Sequence, residues 1–124
     1  MTDSASTVVI LLASDLMLTS TISGHAASAG VLFRNVGSVP EVATILQQSS
    51  RALLLVDLGT PQLDVHQLAA SVAPEILLNA VAYGPHVHET RLQNAKDAGF
   101  GRVMSRGQFS AQVGRLIETF KAPE

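Results

Sequence analysis

The chain contains no cysteine, which removes disulfides, thiolate catalysis and sulfur-ligated metals from its chemistry. That fits a reducing cytoplasm, the expected location. Charge is scarce too: 15% of the 124 residues are Asp, Glu, Lys or Arg, with a formal balance of −2. A composition that is 47% apolar argues against disorder, and the slight negative balance argues against a polyanion-binding surface, so nucleic acid is not an expected partner. Long hydrophobic runs are also missing. The first run, Val8 to Ala13, follows Asp3 instead of a basic segment, lacks a signal-cleavage context, and falls far short of the ~20 residues that span a bilayer. No membrane association is expected. Repeats, linkers and low-complexity tracts are absent, and the length suits a single domain, residues 1–124, with an ordered core of about residues 7–121.

What the chain does have is short apolar runs separated by segments of helical period. Val8–Ala13, Val31–Val36, Ala52–Val56, Ile76–Tyr83 and Arg102–Met104 read as strands by length and by their Val, Leu and Ile content. Phe109, Val113, Leu116, Ile117 and Phe120 share one stripe of a final helix. Val87, Arg91, Leu92, Ala95 and Ala98 form a similar pattern ended by Gly99, and Val39–Gln48 and Leu63–Val72 give two shorter helices. Leu16 to Ala29, closed by Gly30, completes the set, although its Ser and Thr residues are weak helix formers. Strands alternating with helices predict an α/β fold, an open parallel sheet covered on both faces and joined by right-handed crossovers. Ligands of such sheets meet the carboxyl ends of the strands. Asp57 stands at one of them, closing the run "LLLVD".

On "VDLGTPQLD" and "DAGFGRVMSRG" the sequence resembles the receiver domain of two-component response regulators, a resemblance that extends over nearly the whole chain. It implies a flavodoxin-like, doubly wound five-stranded parallel sheet of strand order 2-1-3-4-5 with helices on both faces. By resemblance Asp57 corresponds to the phosphoacceptor, Pro61 to the proline that follows it, and Asp64 to a turn acid. The family's chemistry implies a carboxylate that attacks a phosphoryl group, Mg²⁺ held by further carboxylates after the first strand, and a hydroxyl and a lysine that read the product.

Against that pattern the chain is degenerate. Ala13 and Ser14, or Ser14 and Asp15 in a register shifted by one, stand at the acidic pair, so at least one metal carboxylate is missing in either register. Gly84 occupies the hydroxyl position and offers no side-chain group. Arg106 replaces the lysine, keeping charge in a different geometry. Gly107 replaces the usual proline, and Val65 a glycine.

For Asp57 two structural readings stand beside phosphorylation: capping of nearby backbone amides, or an ion pair with Arg106 that holds the domain in one state. Asp15 reads more simply as a cap for the first helix than as a metal ligand. His86 and His88 lack a third ligand and read as turn residues. "GFGRVM" precedes a strand, whereas a dinucleotide fingerprint must follow one. The resemblance makes Arg91, Arg102, Gln108, Gln112 and Arg115 candidates for an interaction face.

The expected function is a non-enzymatic, receiver-like signalling module, a pseudo-receiver without a required cofactor. It acts by contact with a protein partner: a histidine kinase, an output protein or a second copy of the chain forming a homodimer. Since the chain ends shortly after the fifth expected helix, it acts by docking or is a piece of a larger protein. The alternative is a working single-domain response regulator with an atypical pocket, phosphorylated on Asp57 with Mg²⁺. A third reading, a small-ligand or flavin-binding domain on the same scaffold, has only Tyr83 to flank a flavin and no glycine opening the "TSTIS" loop.

Overall fold

The computed structural model describes residues 7–14, 17–49 and 51–121. These form β1 (Thr7–Leu12), α1 (Thr19–Ala29), β2 (Leu32–Val36), α2 (Val39–Gln47), β3 (Arg51–Asp57), α3 (Val65–Ala70), α4 (Pro74–Asn79), β4 (Val81–Gly84), α5 (Glu89–Ala98), β5 (Arg102–Ser105) and α6 (Arg106–Lys121). The five strands run parallel in one sheet ordered β2-β1-β3-β4-β5, the flavodoxin-like arrangement.

Alternation of side chains along the strands divides the core in two. On one face Val8, Ile10, Leu12, Leu54 and Val56 pack with Val42 of α2, Leu68 of α3 and Ala95 of α5. On the other, Val9, Leu11, Leu53 and Leu55 pack with Ile22 of α1 and with Phe109, Val113 and Ile117 of α6. Both faces are buried, so the central strands must be apolar between their ends, as Val8–Leu12 and Ala52–Val56 are. Tyr83 of β4 lies on the α6 side and stacks on Phe109, with ring centroids 3.9 Å apart and planes within 5°.

The helix ends follow local chemistry. α1 and α5 close at Gly30 and Gly99, whose φ angles of 76° and 104° belong to the left-handed region. α3 opens at Asp64, whose carboxylate accepts the N–H groups of His66 and Gln67. α6 starts earlier than the expected Phe109. Ser105 Oγ accepts the Gln108 N–H at 3.2 Å while Gln108 Oε1 accepts the Ser105 N–H at 3.0 Å, a reciprocal cap that lets the helix begin directly after β5.

The expected strand Ile76–Tyr83 is corrected. Its first part is the helix α4, and β4 is confined to Val81–Gly84. Pro74 sits in the first turn with its φ preset and no N–H to satisfy, and Ile76 and Leu77 both donate to Ala73 O. An apolar run of this length does not distinguish a short helix from a buried strand. The end of α4 then meets β5 so closely that a Cβ at Gly101 would lie 1.7 Å from Leu78 O.

Candidate functional site

Four strand ends converge at the carboxyl edge of the sheet. Asp57 is in register with Tyr83, and Gly84 with Ser105. Leu12 is in register with Val56, which brings Ala13 next in line to Asp57. The structure therefore gathers Ala13, Asp57, Gly84 and the start of α6 at Arg106, the positions singled out in the sequence. Asp15 lies outside the described residues.

Asp57 is 5% exposed. Its Oδ1 accepts the Gly59 N–H at 2.8 Å, and its backbone carbonyl accepts both the Thr60 N–H at 3.0 Å and the Thr60 hydroxyl at 2.7 Å. The carboxylate thus caps the turn that carries the chain from β3 toward α3, the geometry in which Asp side chains stabilise turns. Gly59 permits the approach, because a Cβ there would lie 3.2 Å from Oδ1. Thr60, itself buried, escaped the sequence reading. Its only prior signal was its place within the "DLGTP" turn.

The hydrogen bond described for the Asp57 carboxylate stays within its own turn, at the Gly59 N–H. As the first residue of α6, Arg106 is placed by the Ser105–Gln108 cap.

The family's Mg²⁺ does not fit the residues described. Ala13 is buried and has no side-chain donor atom, Ser14 is exposed, and Gly84 contributes no side chain. Among the described residues no three His, Cys, Asp or Glu side chains come together as metal ligands. Among the described residues at these strand ends Asp57 brings the one carboxylate, and with an oxygen already holding an amide it is a poor start for an octahedral oxygen shell. At Gly84 crowding is not the reason for the missing hydroxyl: a Cβ there would meet Leu58 at 3.5 Å, an ordinary contact.

The candidate interaction residues separate. Arg91, on α5, reaches toward Leu58 O at 3.5 Å and lines a groove of about 420 Å³ with Thr60, Asp64, His66 and Asn94. Gln108 commits its side chain to the α6 cap. Arg102, Gln112 and Arg115 remain together on a different groove, formed by the amino ends of the strands and the outer half of α6. No helix of the described residues is long and apolar enough to cross a membrane.

No protein-family model matches the chain, and no curated protein matches it either. Solved structures do match. The receiver domain of the TMAO respiratory system response regulator TorR superposes with a TM-score of 0.73 at 11% identity, covering 91% of this chain and 98% of that one. The receiver domain of sensor histidine kinase PA1611 from Pseudomonas aeruginosa PAO1, with a magnesium ion coordinated in its active-site cleft, gives 0.69 at 14% identity over 92% and 96%. The beryllofluoride-activated NtrC4 receiver domain dimer gives 0.67 at 12% over 93% and 98%. The fold of this chain is the receiver fold.

Proposed function

We propose that the protein is a receiver-like signalling module of two-component type that works by contact with a protein partner and does not depend on phosphorylation. The observation that carries this reading is the asymmetry of the strand ends: Asp57 is kept at the end of β3, while its neighbours at the ends of β1 and β4, Ala13 and Gly84, have no side-chain group with which to hold a cation or a phosphoryl oxygen. A carboxylate engaged in its own turn supports a static role for Asp57. The partner is a histidine kinase or an output protein, the setting is cytoplasmic, and residues 1–124 act as one domain.

The competing reading is a phosphorylated regulator with an atypical pocket, favoured by the retention of Asp57 itself on a fold whose neighbours hold divalent ions. Incubation with Mg²⁺ and beryllofluoride, followed through backbone amide shifts and intact mass, separates the two. The expected result is no stoichiometric change in the wild type and none in Asp57→Asn. A saturable response of the wild type that Asp57→Asn abolishes would establish the regulator reading instead.

A further inference from the structure

The groove that holds Arg102 and Arg115 lies at the opposite end of the sheet from Asp57, where β3, β4 and β5 begin. Its volume is about 380 Å³, and Arg51, Arg102 and Arg115 reach it from β3, β5 and α6. Three of the eight Lys and Arg residues of a chain with a balance of −2 thus line one concavity. Among the described residues no carboxylate lines it with them, and the side chains of Arg102 and Arg115 have no hydrogen-bond or ion-pair partner. Elsewhere the chain does neutralise its surface charge, as in the Lys121–Glu118 pair one turn away. Arg51 is held rigidly, with its guanidinium 3.9 Å above the Phe120 ring and Nη1 bonded to Phe120 O. Between the arginines the lining is half apolar, with Leu116 and the edges of the buried Leu53 and Val81 beside Asn79, Gln112 and Thr119.

An uncompensated cationic rim over a half-apolar lining is complementary to a ligand that carries carboxylates around a hydrophobic side chain. We infer that this groove docks an acidic segment of a partner protein, a short stretch in which aliphatic anchors are flanked by Glu or Asp. This rests on the reading of the chain as an interaction module and gives its partner a chemistry. Other occupants fit less well. A nucleotide base would need an aromatic face for stacking, and Arg51 already covers a face of Phe120. A second copy seated by two-fold symmetry on the same groove would set arginines against arginines.

The test is a titration of ¹⁵N-labelled full chain with a capped octapeptide of Glu-Glu-Leu repeats, with Gln-Gln-Leu and Lys-Lys-Leu peptides as controls and tripolyphosphate in a separate arm. The acidic peptide is expected to shift amides of Arg51, Asn79, Arg102, Gln112 and Arg115. Arg102→Glu with Arg115→Glu, both exposed positions, should weaken it by roughly tenfold or more while the thermal midpoint stays close to wild type. Equal shifts with the Gln peptide, shifts scattered over the surface, or no shift would overturn the proposal. So would tripolyphosphate binding without peptide binding, which marks a small-oxyanion site, or shifts produced by protein concentration alone, which mark self-association. Because the groove is remote from Asp57, a beryllofluoride response and a failed peptide titration are separate results.

Discussion

At Asp57 the carboxylate performs a task that a neutral amide also performs. Asparagine presents an oxygen in the same place, so Asp57→Asn keeps the bond to Gly59 N–H. Alanine does not. Chemical denaturation should show Asp57→Ala less stable by about 1–2 kcal/mol and Asp57→Asn by less than half of that. Five residues further along, Gln62 carries a φ of 62°, a conformation that disfavours any side chain. Relief of roughly 1–2 kcal/mol of left-handed strain, less the roughly 0.5–1 kcal/mol entropic cost of glycine, makes Gln62→Gly a stabilising substitution by about 0.5–1 kcal/mol, read as a higher denaturation midpoint.

Among the elements, α6 depends most visibly on a local device. Removing either half of the reciprocal cap, by Ser105→Ala or Gln108→Ala, should cost about 1 kcal/mol, and the double variant close to the sum, since each bond joins one side chain to the other residue's backbone N–H and survives the other change. The cap could have been read from Ser105-x-x-Gln108, but the family likeness drew Gln108 toward an interaction face instead. Much else was legible. β3 announces itself because a strand buried on both faces has no freedom to be polar, and Gly30 and Gly99 mark helix ends because few other residues tolerate their φ. Ile76-Leu77-Leu78 misled, since apolar continuity does not encode whether the backbone is coiled or extended; only Pro74 hinted at a helix start. At the close approach of α4 and β5, Gly101→Ala should lose about 3 kcal/mol or more, because the obstructing atom is a backbone oxygen with nowhere to go.

For the whole molecule the two-sided core is the dominant source of stability, and the opposite faces of β3 carry equal weight. Leu54 and Leu55 are both 0% exposed, one facing α2 and α3, the other α1 and α6. Replacing either by alanine should cost about 3–5 kcal/mol by denaturant unfolding. A large imbalance between the two would mean that one helical layer is only loosely attached. β1 and β3 are each hydrogen-bonded to a neighbouring strand on both sides, whereas β2 and β5 have one neighbour each within the sheet. In deuterated water the amides of Val9 to Leu12 and Leu53 to Val56 should therefore be the last to exchange, releasing their protons only when the entire chain opens, while those of β2 and β5 escape earlier through fraying of the sheet margins.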